Sequence, residues 1–171
     1  MALLRGVNLG PSNKIAMPEL RTLAEGLGYE AVATYINSGN LLFESRRGVK
    51  GLAEEITAAI SDTFGHTIDV TVRTHDQLVG IVANNPYPEG NPSQVTVAFL
   101  TKAPPPGAEE KVAAAAAEYE PFTFAGHEVY VHYSHGIGTS KLAEQFSKIV
   151  GVSATVRNLR TVSKLVDLQN S

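Results

Sequence analysis

The sequence of 171 residues contains no cysteine and no tryptophan. Without cysteine the chain has neither a disulfide framework nor a thiolate for catalysis or metal binding. No stretch approaches the roughly 18 consecutive apolar residues of a membrane-spanning helix, so we expect no contact with the membrane. The first residues, from Met1 to Gly6, lack the basic start and long apolar stretch of a secretory signal. The sequence therefore predicts a cytoplasmic protein.

Charge is also scarce, and its balance is slightly acidic. Charged residues make up 18% of the chain and the formal net charge is -3. A protein that coats nucleic acid without specificity usually has a strongly basic domain, so nucleic acid is a possible but not a favoured partner. Apolar residues make up 43% of the chain, which is enough to bury the core of one domain or of two small halves.

What the sequence does contain is a regular order of short apolar segments that occurs twice. Apolar residues that alternate predict strands, and apolar residues three or four positions apart predict helices. Together they predict the element order β-α-β-β-α-β-α, from a strand that starts at Ala2 to a helix that carries Val82. A segment rich in proline and asparagine follows at residues 84–92 and is typical of a linker. The same order begins again at Val95. We therefore expect two domains, at residues 1–86 and 87–171.

Short identical stretches fall at equivalent places in the two halves. Thr71-Val72-Arg73 corresponds to Thr155-Val156-Arg157, and residues 52–54 correspond to residues 142–144. This agreement predicts an internal duplication. A β-α-β-β-α-β unit is the ferredoxin-like arrangement. The sequence thus predicts an α+β protein of two tandem ferredoxin-like (β-α-β-β-α-β-α) subdomains with antiparallel sheets.

Three stretches carry a resemblance to a known family: ALLRGVNLG at residues 2–10, TYINSGN at residues 34–40, and SKL at residues 140–142 with ATVRN at residues 154–158. The chain resembles the bacterial family called domain of unknown function 1697 (DUF1697). The resemblance implies two ferredoxin-like subdomains. It implies no established reaction, and therefore no catalytic residue. Members usually carry an aromatic residue after the Arg-Asn pair, where this chain has Leu159.

The strongest local feature is the segment GIGTSK at residues 136–141, between a predicted strand and a predicted helix. The backbone N-H groups near Gly136 and Gly138, the hydroxyl of Ser140 and the charge of Lys141 would suit an anion such as phosphate. The spacing differs from that of a P-loop. The alternative is a flexible loop in which Thr139 or Ser140 caps the helix.

A second candidate cluster lies in the first half and consists of Arg5, Asn8, Lys14, Asn37, Ser38 and Asn40. Arg5 interrupts an apolar strand, and a buried charge is costly unless it is paired or directed into a cleft. In the alternative interpretation Arg5 pairs with a carboxylate such as Glu44. The asparagines would then only stabilise turns.

Arg73 and Arg157, the latter followed by Asn158, end equivalent strands. Two guanidinium groups that face one groove would bind a phosphate or a carboxylate. The alternative is that each arginine caps backbone carbonyls or lies in solvent.

Histidines and paired acids are present, but their spacing predicts no metal and no cofactor. His132 and His135 are an odd number of residues apart on a predicted strand, and no H-E-x-x-H helix is present. His127 lies in the preceding turn. The acid pairs at residues 54–55 and 109–110 start predicted helices, where carboxylates favour the helix dipole.

Together these features predict a binding module with a polar, basic groove between the subdomains. The expected ligand is an anionic, phosphate-bearing molecule or a nucleotide. One alternative is an enzyme acting on such a ligand, with His75, His132 and His135 as the available proton carriers. Another is an RNA-binding module, in which bases stack on an open sheet face. The aromatic residues available for that are Phe43, Phe99, Tyr130 and Tyr133, and the RNP1 pattern is absent.

Overall fold

The structure is a computed structural model that describes residues 1–169, and contacts divide these residues into two compact units. Unit 1 contains residues 1–77 together with Leu168 and Gln169, and unit 2 contains residues 78–167. The fold is α+β, with two four-stranded antiparallel sheets and seven α-helices among the described residues. The predicted domain boundary after residue 86 stays a prediction.

Unit 1 is built on a sheet with the strand order β2-β3-β1-β4. Its strands all pair in antiparallel fashion. The last helix of this part of the chain, α3, begins in unit 1 and continues into unit 2. The elements are β1 (Ala2–Leu4), α1 (Met17–Gly26), β2 (Glu30–Tyr35), β3 (Asn40–Glu44), α2 (Leu52–Phe64), β4 (Val70–Val72) and α3 (His75–Ala83).

The core of unit 1 lies between its sheet and the helices α1 and α2. Ala2 and Leu4 of β1 pack with Ile56 and Ile60 of α2 in one buried cluster. Successive side chains of a strand point to opposite faces, so Leu3 lies on the other face of the sheet, where it is also fully buried. Both faces of this sheet are therefore covered.

Unit 2 contains a second sheet, with the strand order β6-β7-β5-β8. The spacing of Leu142, Phe146, Ile149 and Val150 predicts one helix, but the structure has two short ones, α5 and α6, which are separated by Gln145. The elements are β5 (Val95–Leu100), α4 (Ala108–Ala115), β6 (Phe122–Ala125), β7 (Glu128–His132), a 3-10 helix (Ile137–Thr139), α5 (Lys141–Glu144), α6 (Phe146–Val150), β8 (Ala154–Asn158) and α7 (Leu159–Gln169). Among the described helices, none has the length and apolar character that crossing a membrane requires.

The two units repeat not only the order of their elements but also the register of their sheets. Leu3 of β1 lies opposite Thr71 of β4, and Phe99 of β5 lies opposite Thr155 of β8. The Thr-Val-Arg stretch that occurs twice in the sequence therefore occupies the same place in both sheets.

Tyr29, Arg47 and Glu55 form a hydrogen-bonded network on unit 1. The Tyr29 hydroxyl donates to one carboxylate oxygen of Glu55 at 2.5 Å, and the Arg47 guanidinium donates to both oxygens at 2.8 Å. The Tyr29 ring also stacks on Phe43, with ring centroids 4.3 Å apart. The hydrogen bonds from Arg47 and then from Tyr29 hold the pKa of Glu55 below its ordinary value.

We expect Glu55→Gln to destabilise the protein at neutral pH but not in acid. The pKa of Glu55 is lowered by folding, so its contribution is present above the unfolded pKa and is lost as the pH falls through the folded pKa. The carboxylate is partly exposed, so the loss at neutral pH should be about 1 kcal/mol or less. Urea unfolding of the variant and of the wild-type protein, at neutral pH and at about pH 3, measures this difference in the free energy of unfolding.

The matched control for this measurement is Glu54→Gln, which removes a charge from the same turn of α2. It should leave the pH dependence nearly unchanged. An equal loss of stability at both pH values in Glu55→Gln would contradict the interpretation.

Candidate functional site

Asn8 connects the loop after β1 to the turn between β2 and β3. Its side-chain amide donates to the carbonyl of Ile15 at 2.8 Å, to the carbonyl of Asn37 at 3.0 Å and to the side-chain oxygen of Asn37 at 3.1 Å. Its own side-chain oxygen accepts the N-H of Ile15 at 3.0 Å. Asn8 has a φ of 58°, a conformation that asparagine tolerates better than most residues. Its side chain therefore holds the two loops together.

The turn between β2 and β3 is closed by a second asparagine. Asn40 is fully buried, and its side-chain amide donates to the carbonyl of Tyr35 and to the hydroxyl of Ser38, both at 3.0 Å. The structure thus brings together Asn8, Asn37, Ser38 and Asn40 of the second predicted cluster. We call these four residues the asparagine cluster.

The two cations of the second predicted cluster are placed differently. Lys14 is exposed. A guanidinium nitrogen of Arg5 lies 3.3 Å from a carboxylate oxygen of Asp69. The predicted alternative of an ion pair is thus correct, but the suggested partner Glu44 is wrong. Asp69, the residue directly before β4, is the partner because the N-H of Arg5 bonds to its carbonyl and continues the β1-β4 ladder.

The face of the sheet in unit 1 that points away from α1 and α2 carries polar side chains beside the buried side chains of Leu3 and Leu42. Val70 and Val72 pack in the core with α1 and α2, so the alternate residue Thr71 points to the opposite face. The ladder continues to Arg73, whose N-H bonds to the carbonyl of Met1 at 3.1 Å. We use the name first polar face for the polar residues on this side of the sheet, which are Arg5, Asn40, Asp69, Thr71 and Arg73.

The sheet of unit 2 has an equivalent face. Val129, Val131 and Ala154 pack in the core with the helices that follow β5. The alternate residues therefore lie on the opposite face. There the Tyr130 hydroxyl donates to the carbonyl of Ile81 at 2.7 Å, so α3 lies against this face. The same face carries the fully buried Val97 and Phe99, which lie opposite Arg157 and Thr155. We use the name second polar face for its polar residues, which are Glu128, Tyr130, Thr155 and Arg157.

Arg157 and Thr155 are the most unusual pair on the second polar face. A guanidinium nitrogen of Arg157 donates to the carbonyl of Val156 at 2.9 Å, and burial lowers the pKa of Arg157 to about 10. Thr155 is 1% exposed, and its hydroxyl has no hydrogen-bond partner within the described part of the chain. Asn158, which the sequence predicts as a ligand-binding residue together with Arg157, caps α7 by accepting the N-H of Thr161 at 2.9 Å.

The glycine-rich segment at residues 136–141 contains a helix cap. The Ser140 hydroxyl oxygen accepts the N-H of Ala143 at 3.1 Å, as the alternative interpretation predicts. Gly136 has a φ of 90°, Gly138 lies in the 3-10 helix, and Lys141 is exposed at the start of α5. Helix α5 has only four residues. The binding of an anion to this segment stays a prediction.

The histidines have separate neighbours. The His132 ring lies 6.0 Å from the Tyr87 ring, whereas the exposed His135 ring stacks on Tyr119 at 3.9 Å between centroids. His75 lies beside Asp76, with nitrogen and oxygen 3.8 Å apart. Among residues 1–169 no group of three or more His, Cys, Asp or Glu residues could hold a metal ion. These contacts single out no proton carrier.

The aromatic residues that were predicted to stack RNA bases are all buried, namely Phe43, Phe99, Tyr130 and Tyr133. Phe43 and Tyr133 belong to the apolar cores of their units. Base stacking on an open sheet requires exposed rings. These four rings therefore offer no such surface.

The sequence interpretation missed the two threonines of the polar faces. Thr71 and Thr155 both have buried hydroxyls with no partner among the described residues. The signal was present, because each threonine belongs to the repeated Thr-Val-Arg stretch. The sequence predicts a binding role only for the arginines of that stretch, because an isolated threonine in a strand has no distinctive chemistry.

Comparison with known proteins supports the fold and the family. The structure is similar to that of the conserved bacterial protein SP0830 from Streptococcus pneumoniae, with a TM-score of 0.72, 23% sequence identity, and coverage of 97% of this chain and 95% of that chain. No curated protein matches the sequence. The sequence model of the family described as protein of unknown function (DUF1697) matches residues 1–130. This chain belongs to the DUF1697 family.

Proposed function

We propose that this protein binds a small anionic ligand that carries phosphate, such as a nucleotide. The observation that carries the proposal is the desolvated guanidinium of Arg157 beside the unpartnered hydroxyl of Thr155. Guanidinium and hydroxyl donors are both suited to the oxygens of a phosphate.

The proposal also depends on the arrangement of each unit. We infer that each unit is a ferredoxin-like subdomain and that the two arose by duplication. The order β-α-β-β-α-β and the two matching strand orders support this inference. In this arrangement right-handed crossovers put both helices on one face of the sheet. The other face of each sheet carries the polar residues of the two polar faces, together with buried apolar side chains. The prediction of one groove shared by the subdomains stays a prediction.

Binding is tested by thermal unfolding with pyrophosphate or ATP, against sodium chloride of equal ionic strength. At a ligand concentration of about 100 times Kd the stabilisation is about 2.7 kcal/mol. For a chain of this size we expect the Tm to rise by roughly 5 to 10 °C. Arg157→Met should clearly reduce this rise, because its guanidinium supplies the charge.

The matched control is Arg160→Met, which removes the same charge from an exposed residue three positions later. It should keep the rise in Tm, measured against its own ligand-free value. The absence of any rise in the wild-type protein would refute the proposed function. Release of phosphate from ATP in the same samples would favour the alternative, an enzyme.

A further inference from the structure

We propose that the chain has two equivalent sites for a tetrahedral oxyanion, one in each unit. Thr71 and Arg73 form the site of unit 1, and Thr155 and Arg157 form the site of unit 2. The inference rests on the proposed function and extends it, because it gives the number of sites and assigns a binding role to the two threonines.

The arginines of the two units have the same local geometry. A guanidinium nitrogen of Arg73 donates to the carbonyl of Val72 at 2.9 Å, and a guanidinium nitrogen of Arg157 donates to the carbonyl of Val156 at 2.9 Å. Each arginine therefore folds back over the residue before it, at the end of an equivalent strand. Both arginines are half-buried.

The threonines of the two units share an unusual feature. Thr71 is 3% exposed and Thr155 is 1% exposed, and neither hydroxyl has a hydrogen-bond partner within residues 1–169. Buried hydroxyl groups are normally hydrogen-bonded, and leaving one unsatisfied costs free energy. The same cost occurs at the same position in both sheets. A ligand that accepts this hydrogen bond would explain both cases.

Residues around the two pairs have diverged. In unit 1 the N-H of Arg5 bonds to the carbonyl of Asp69 at 3.0 Å, and the equivalent bond in unit 2 joins Thr101 and Ser153 at 3.0 Å. The backbone is thus the same, but the ion pair of unit 1 is replaced by two uncharged residues. Against this background the threonine and the arginine are unchanged in identity and in geometry. A shared function would account for that.

The spacing within each pair suits one oxyanion. Residues two apart on a strand point to the same face and are about 6.6 Å apart along it. The hydroxyl and the guanidinium of each pair therefore lie on the same face, where both could donate hydrogen bonds to one oxyanion. The hydrogen bond from the guanidinium is stronger than the one from the hydroxyl, because its donor is charged as well as its acceptor. Phosphate and phosphate esters are therefore the chemical class that fits.

The number of sites is tested by NMR, with the side-chain Nε-H signals of Arg73, Arg157 and Arg46 followed during titration with pyrophosphate at constant ionic strength. We expect the signals of Arg73 and Arg157 to move and to saturate. The signal of Arg46, whose side chain is 88% exposed, should stay in place. Movement of only one of the two would overturn the two-site inference and leave the proposed function standing. Movement of neither would overturn both.

The role of the hydroxyls is tested with Thr71→Val and Thr155→Val, which keep the shape of the side chain. Each variant should weaken pyrophosphate binding at its own site by about tenfold or more, because it loses a hydrogen bond to a charged group. Each should also have a higher Tm without ligand, since an unpartnered buried hydroxyl is replaced by a methyl group.

Thr96→Val is the control, because Thr96 is equally buried but its hydroxyl donates to the carbonyl of Val131 at 3.3 Å. It should not raise the Tm and should not change binding at either site. Wild-type affinity in both Thr71→Val and Thr155→Val would overturn the assignment of the hydroxyls to the sites.

Discussion

Gly39→Ala should destabilise the protein by about 3 kcal/mol, through overpacking and an unfavourable backbone conformation. A Cβ atom on Gly39 would lie 2.8 Å from the Cβ of Leu4 and 3.4 Å from the Cβ of Val7. The Cβ of Leu4 is attached directly to the buried strand β1, so it cannot move aside as the end of a flexible side chain would. Gly39 also has a φ of 79°, which strains any residue that has a Cβ atom.

The matched control is Gly28→Ala. Gly28 has nearly the same φ, 81°, but no atom lies within 4 Å of the position of its Cβ. Its substitution should therefore cost only the backbone term of about 1 kcal/mol. Urea unfolding of both variants measures the difference. If Gly39→Ala costs no more than Gly28→Ala, the close approach of the turn to β1 is not what requires glycine.

Asn8→Gly should have the second large effect, a loss of about 2 to 3 kcal/mol, because several hydrogen bonds to Ile15 and Asn37 are removed together. Glycine adopts the positive φ of Asn8 without strain, so the change isolates the side-chain bonds. We expect the loop after β1 to become mobile. Faster amide hydrogen exchange at Ile15, whose N-H bonds to the Asn8 side chain, would show this directly.

Asn13→Gly is the control for Asn8. Asn13 also has a positive φ, 54°, and its carbonyl accepts the N-H of Asn8 at 3.1 Å, a bond that the substitution keeps. It should change the stability little. If Asn8→Gly kept wild-type stability but lost pyrophosphate binding, Asn8 would be a ligand-binding residue. The assignment of a structural role to Asn8 in the asparagine cluster would then be refuted.

Gly39 lies in the motif at residues 34–40, and Asn8 bonds to this motif through Asn37, in a region where the sequence predicts a binding site. The motif at residues 34–40 is polar and rich in asparagine and glycine, which is compatible with a ligand or with a demanding turn. The contacts of Asn40 and the close approach of Gly39 to Leu4 favour the turn. A motif of this kind is therefore explained first by what it does for the backbone.

Features that depend on neighbouring residues could be predicted from the sequence. Thr74 and Gln77 have the spacing of a capping box, and the structure contains both bonds. The Thr74 N-H donates to the Gln77 side chain at 2.9 Å, and the Gln77 N-H donates to the Thr74 hydroxyl at 3.2 Å. The order of strands and helices followed from periodicity in the same way. The break at Gln145 was missed, because the spacing of Leu142 and Phe146 suits one helix or two.

The sequence by itself determined the order of the elements, the caps and the family, because each depends on residues that are close in the chain or on a motif. Tertiary structure alone decided that Arg5 pairs with Asp69, which is 64 residues away. It also decided that the hydroxyls of Thr71 and Thr155 are buried without a partner among the described residues. The physical reason is that burial and pairing on a sheet depend on which distant strand lies alongside, and no local pattern specifies that neighbour.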